Sequence, residues 1–187
     1  MRQSHRIVVV AVTIVAVAIA APVLALRGSL PSIDGRVAAP GLTAPVTVER
    51  DALGVPTIAG SSRNNVAYAT GYVHAQDRYF QMDLSRRMPA GRLAELVGDA
   101  ALPTDRRNRL HRFEALADRM YAALPKGERE LIDAYSAGVN AGLESLRVRP
   151  FEYLLLRSRP VRWQRGNHDV GALQRVFQRR RWHDTRR

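Results

Sequence analysis

Residues Gly71–Met82 read GYVHAQDRYFQM, a histidine, two glutamines, an aspartate and an arginine set among apolar residues at helical spacing. His74 and Asp77 lie three apart, so on a helix they share one face and are within reach of a common metal ion or proton. Two ligands do not make a metal site, and no third His, Asp or Glu nearby has suitable spacing. Acid/base chemistry by the pair lacks a nucleophile placed beside it. The alternative is structural: a helix this apolar is buried on several sides, and its polar groups must then be paired. Asp77, Arg78, Gln81 and the pair Arg86 and Arg87 can bond to loops or neighbouring helices, a role that suits the five fixed donors of arginine. The structural reading is the stronger, and it makes this stretch the middle of a buried helix.

Working outward, Ser61 or Ser62 can cap that helix, which runs to about Met88 with Val66, Val73, Phe80 and Leu84 along one face. Pro89 to Gly91 breaks it, and a short helix from Arg92 to Val97 is closed by Gly98. Thr104 or Asp105 caps a further helix in which Leu110, Phe113, Leu116, Ala117, Met120, Tyr121 and Leu124 keep the three-four spacing. Pro125 ends it, and Glu128 to Leu146 repeats the pattern. Pro150 to Leu156 adds one or two buried turns. Upstream, Val46 to Arg50 alternates apolar and polar, Asp51 to Gly54 supplies turn residues, and Val55 to Ala59 returns as a second strand. Pro56 sits near its start, where an edge strand tolerates a missing donor. One hairpin is too little sheet to cover several amphipathic helices. The fold class is α+β, mostly helical with one short hairpin, the opening part of a larger domain.

The chain has 187 residues and a formal charge of +12. Residues 1–26 carry Arg2, His5 and Arg6 and then an uncharged apolar run from Ile7 to Leu26, the pattern of an export signal or a signal anchor. The run is long for a cleaved signal and just long enough to span a bilayer, so cleavage and retention both remain open. Arg2 and Arg6 would hold the amino end in the cytoplasm and leave the rest outside. The expected location is the periplasm, or the inner membrane facing it. Residues 27–45 are rich in Gly, Pro and small residues and read as a linker. The absence of cysteine excludes disulfides, a thiol nucleophile and a cysteine-based zinc site. Half of the excess charge, a net +6, lies in residues 161–187, and every basic residue but Lys126 is arginine. That distribution gives no basic face across the chain, and no nucleic-acid partner is expected.

Four segments together resemble one family: VERDALGVPTI, GYVHAQDRYFQMDLSRRMPAGRLAELVG, AYSAGVNAGLE and PFEYLLLRSRPVRW. In order and spacing, from about Val46 to Trp163, they are similar to the start of the α chain of the penicillin acylase family. The resemblance implies an exported N-terminal-nucleophile amidohydrolase, cut from a precursor into α and β chains. The serine at the new amino terminus of the β chain would attack a linear amide, with its own α-amine as base. Oxyanion donors would come from the β chain as well. The fold implied is a four-layer αββα sandwich to which the α chain contributes helices and a little sheet. Substrates implied are an acylated β-lactam nucleus or an acyl-homoserine lactone. Calcium is implied for the complete family member, with a glutamate from the later part of the α chain. In this family the HAQDR segment is scaffold, so no catalytic, cofactor-binding or metal-ligating residue is assigned in this chain. Ser136 and Ser145 fall within a predicted helix, and Ser158 sits in the arginine-rich connection before Trp163.

The expected organisation is thus residues 1–26 as signal or anchor, 27–45 as linker and 46–163 as a partial α chain, followed by 164–187 as an arginine-rich tail. Where the family continues with an apolar helix, this chain reads QRGNHDVGALQRVFQRRRWHDTRR. A freely chosen back-translation of His168 to Phe177, read from its second base, gives MTLALYSVF, an apolar stretch of the kind the family has there. A frameshift just after Gln164 is therefore expected, and with it a chain that is inactive by itself. The alternative function is a membrane-tethered basic helical module that binds anionic partners, with Arg179 to Arg181 and Trp182 as a conceivable contact to phosphate and base.

Overall fold

The computed structural model describes residues 2–164, so the arginine-rich tail from residue 165 onward lies outside the described residues. The chain opens with α1 (Arg2–Gly28), in which Val9–Gly28 has a mean hydropathy of 2.8 and is not buried by the rest of the chain. Twenty helical residues rise about 30 Å, the thickness of a bilayer core, though a signal sequence has the same length and composition. The end of α1 is tied down. Val148 donates its N–H to the Gly28 carbonyl at 3.0 Å, and the Ser29 hydroxyl donates to the Arg149 carbonyl at 2.7 Å.

The expected hairpin is present as β1 (Val46–Arg50) and β2 (Pro56–Gly60), antiparallel, with Val46 opposite Gly60 and Arg50 opposite Pro56. Asp51 builds the turn: one of its carboxylate oxygens accepts the N–H groups of Leu53 and Val55 at 2.9 and 2.8 Å. An Asx-type turn of this kind explains why an aspartate opens the connection.

The long helix α2 (Arg63–Ala90) is capped at both ends as its sequence predicts. The Ser62 hydroxyl accepts the Asn65 N–H at 3.1 Å. At the other end Gly91 takes the left-handed conformation, its N–H bonds to the Met88 carbonyl, and Arg92 bonds to the Arg87 carbonyl. That is a Schellman closure, and it lets the helix run through Pro89 for one residue more before it stops. Non-helical angles at Arg78 (φ −152°, ψ 31°) kink α2 at its middle, directly after Asp77.

After α2 come α3 (Ala94–Val97), a 3₁₀ turn at Asp99–Ala101, α4 (Leu102–Arg109), α5 (Phe113–Ala123), α6 (Lys126–Glu144) and α7 (Phe151–Leu155). The sequence predicts one continuous helix from Thr104 or Asp105 to Leu124. The structure breaks it between Leu110 and Arg112, where Arg112 has φ 51°. Leu110 is exposed while Phe113 and Ala117 pack on Ala90, so only the second half of the stripe is a core face. Asp105 does not cap its own helix. It is buried, and its two carboxylate oxygens accept the N–H groups of Leu93 and Ala94 at 2.9 and 2.8 Å.

The core forms where α2 crosses α6. Small residues let the two backbones touch: an added Cβ at Gly138 would overlap the Tyr68 carbonyl, and one at Gly71 would overlap that of Tyr135. Around this crossing Ala75, Tyr79, Leu96, Val139, Tyr153 and Trp163 form one buried cluster. Replacing Gly138 with alanine must push the helices apart, and the expected cost is about 1–3 kcal/mol. Gly127→Ala, at an open position of the same helix, should cost nothing. Urea denaturation followed by helical circular dichroism separates the two; equal midpoints would show that the crossing is looser than described.

Candidate functional site

The polar residues of α2 resolve into three sets, each with its own partners. The first is at the hairpin. Both Asp77 oxygens accept from Arg50, at 2.8 and 3.0 Å, and the same guanidinium donates to the Gly54 carbonyl at 3.0 Å. A bidentate pair of this geometry fixes orientation as well as distance. Asp77 therefore holds the end of β1, and it is not available to orient His74.

The second set joins α2 to α6. Nδ1 of His74 shares a 2.9 Å hydrogen bond with the Tyr135 hydroxyl, and the two rings meet edge to face. Burial pulls the His74 pKa below its ordinary value near 6.5, and Arg78 adds to that, against an opposing pull from Asp77. Burial pushes Tyr135 up to about 12, so its hydroxyl keeps its proton at neutral pH. Gln76 donates to the Ser145 hydroxyl at 3.0 Å, at the carboxyl end of α6.

The third set is the most buried. Asp83 is fully enclosed; one oxygen accepts from Nε of Arg86 at 2.7 Å and Nε of Arg87 at 2.9 Å, and the other from the Tyr153 hydroxyl at 2.6 Å. Arg86 continues to the carbonyls of Val161 and Arg162 at 2.7 and 3.1 Å and lies over the Trp163 ring. Arg87 reaches on to Glu95, and the Tyr79 hydroxyl also donates to the Val161 carbonyl. Asn140 closes the arrangement, accepting the Trp163 N–H at 2.8 Å and donating to the Trp163 carbonyl at 3.0 Å. Burial and the bond to Asp83 push the Tyr153 pKa far up, which keeps that hydroxyl a donor.

The serines are no better placed for attack. Ser136 is buried against α2 with its hydroxyl unpartnered. Ser145 accepts from Gln76 and donates to the Gly142 carbonyl at 2.7 Å. The Ser158 hydroxyl is buried and has no base beside it. Among the described residues no three His, Asp or Glu side chains converge on a point that could hold a metal ion. Asp77, Asp83 and Asp105 spend their oxygens on guanidinium, hydroxyl and backbone donors, so none of these three is free to ligate calcium.

A profile of penicillin amidases matches residues 45–182, three quarters of the chain and past Trp163 into the arginine-rich segment. The chain belongs to the penicillin amidase family. It is 41% identical over 152 residues to the penicillin acylase 2 proenzyme of a Pseudomonas species, covering 81% of this chain and 20% of that relative. It is 39% identical over 117 residues to the acyl-homoserine lactone acylase QuiP of Pseudomonas putida, covering 63% of this chain and 14% of the relative. A solved thermostable penicillin G acylase from Alcaligenes faecalis matches at 34% identity with a TM-score of 0.62, covering 69% of this chain and 70% of that one. The chain thus spans about a fifth or less of the length of the curated relatives it matches. The structural match joins the hairpin and helical body to an N-terminal-nucleophile hydrolase fold.

The sequence singles out Asp77, Arg86 and Arg87 correctly as paired polar groups; it also expects bonds from Arg78 and Gln81, which make no side-chain hydrogen bond among the described residues, and it misses the hub of the two arginines. Asp83 stands beside them in QMDLSRR, three and four residues before the two arginines, which is the i,i+3 and i,i+4 signature of a helical ion pair. Removing it takes this carboxylate from two buried guanidinium groups and leaves Arg87 only its pair with Glu95. Asp83→Asn should therefore cost about 3–5 kcal/mol. His74→Ala should cost far less, and urea titration of both variants provides the comparison.

The lowered pKa of His74 also sets a pH dependence. A folded state that binds its proton less readily than the unfolded chain loses stability as pH falls below about 6.5. Denaturant midpoints of the wild type should accordingly fall between pH 7 and pH 5, and His74→Gln should flatten that part of the slope.

Proposed function

We propose that this chain is the scaffold-forming start of the α chain of an exported amidohydrolase, one that hydrolyses linear amides through the N-terminal serine of a β chain encoded beyond residue 187. The observation that carries this reading is that His74, Gln76 and Asp77 of the HAQDR segment are each committed to structural partners. Asp77 is held by Arg50 and His74 by Tyr135, so the one sequence that looks like an active site builds the frame for another. Family membership and the likeness to a solved penicillin G acylase supply the class of reaction.

The partner implied is the β chain of the same precursor, which fits the Pseudomonas relative being a proenzyme. Surfaces for it exist. Leu53 and Val55 at the hairpin and Leu110 at the break between α4 and α5 are exposed large apolar side chains, and neither hairpin strand has an outer neighbour among the described residues. Relatives named for penicillin and for acyl-homoserine lactones are both at hand, so the acyl substrate is one or other of these amides. Calcium belongs to the complete enzyme, with its glutamate outside the described residues. Helix α1 is the export signal, retained as an anchor or cleaved.

Two measurements test the proposal. Purified chain, incubated with a chromogenic phenylacetyl anilide or an acyl-homoserine lactone, should show no turnover above buffer, and His74→Ala and Asp77→Asn should not change that result. Turnover by the chain alone, abolished in either variant, would return the chemistry to α2. Sequencing the gene from the codon of Pro160 through the following two kilobases or so should reveal a frame that encodes a β chain beginning with serine. Its absence would leave the amidase reading as ancestry only.

A further inference from the structure

Helix α7 has an unusual face. Tyr153 points into the core, where it reaches Asp83, whereas Phe151 and Leu155, four residues apart and so on one side of the helix, are 44% and 76% exposed. Arginines bracket this pair, with Arg147 and Arg149 before it and Arg157 after it. None of the three has a carboxylate partner among the described residues.

The face is not placed at random. Gly28 and Ser29, at the end of α1, are hydrogen-bonded to Val148 and Arg149. Phe151 and Pro150 share a cleft of about 540 Å³ with Val23, Leu26 and Leu30 from the end of α1 and the residues that follow it. Arg27 lies at this junction. Among the described residues the carboxylates lining the cleft are Glu152, which is half-buried, and Asp77, which is held by Arg50. If α1 spans a bilayer, its last turn lies at the headgroup layer, and α7 is fixed beside it at the same depth.

We propose that α7 is an interfacial foot: Phe151 and Leu155 enter the headgroup and acyl boundary of an anionic bilayer, while Arg27, Arg147, Arg149 and Arg157 bind its phosphates. An apolar pair flanked by cations is the composition of elements that lie in a membrane surface. Each arginine near an anionic leaflet strengthens the association about fivefold, an effect that salt screens. The foot would hold the folded body flat against the membrane instead of letting it hang from a single helix. The inference rests on retention of α1 as an anchor, and it is independent of the amidase chemistry.

The full chain has no cysteine, so one introduced label reports one position. Leu155→Cys, labelled with an environment-sensitive fluorophore, is reconstituted into phosphatidylcholine vesicles with or without phosphatidylglycerol, and Leu110→Cys serves as the reference. The label at 155 should shift to the blue and lose acrylamide quenching in the anionic vesicles only. High salt, or exchange of Arg147, Arg149 and Arg157 for glutamine, should reverse this, and the label at 110 should stay in water throughout. Equal accessibility of position 155 in both vesicles overturns the foot, and so does binding through the arginines of 165–187, which would leave the label at 155 in water. Alkaline carbonate extraction reports the anchor separately. A chain retained by carbonate with position 155 in water overturns the foot alone, whereas a chain released by carbonate overturns the foot and the anchor together.

Discussion

One buried carboxylate holds the helical body in register. Asp83 has no access to water, and it would be costly there without partners. Two guanidinium groups from its own helix and a hydroxyl from α7 meet that need. Because each guanidinium carries five N–H donors and gives only its Nε–H to Asp83, each has donors to spare, and these reach the carbonyls at 161–162 and the carboxylate of Glu95. A single residue thereby links α2, α3, α7 and the segment that carries Trp163. A network of this kind adds little to stability compared with an apolar core of the same volume, but the loss of one member is costly because it strands a buried charge.

The crossing of α2 and α6 is the complementary constraint, and it works by absence. Gly71 and Gly138 bring backbone against backbone, which leaves room for no side chain and draws Tyr79, Val139 and Tyr153 into the space beside the contact. His74 and Tyr135 then meet across the same interface. A histidine and an aspartate three residues apart on a helix invite a catalytic reading, yet the crossing turns one toward α6 and the hairpin claims the other. The chemistry of an N-terminal-nucleophile enzyme requires neither.

The family places this body within something larger, and the surface agrees. A two-stranded sheet with open edges and exposed leucines at the hairpin turn and at the break after α4 are what a first segment presents when the layers that cover it come from later in the chain. The junction where α1 meets α7 has a different character, apolar and cationic together.

The sequence by itself determined the local elements. Alternation in VTVER with DALG after it specifies a hairpin, Ser61 or Ser62 and the run from Pro89 to Gly91 mark where α2 starts and stops, and an uncharged run specifies an apolar first helix, because strand period, cap chemistry and hydropathy depend only on neighbours in the chain. Four motifs in order also determined the family. Only the tertiary structure decided the partners: that Asp77 is claimed by Arg50, 27 residues away, that Asp83 and Tyr153 meet across 70, and that the stripe from Leu110 to Leu124 breaks at Arg112. Periodicity shows that a face is buried or that a polar group needs a partner, but not which element covers the one or answers the other. That choice is made by how closely two helices can approach, which here was set by glycines on both sides of a single crossing.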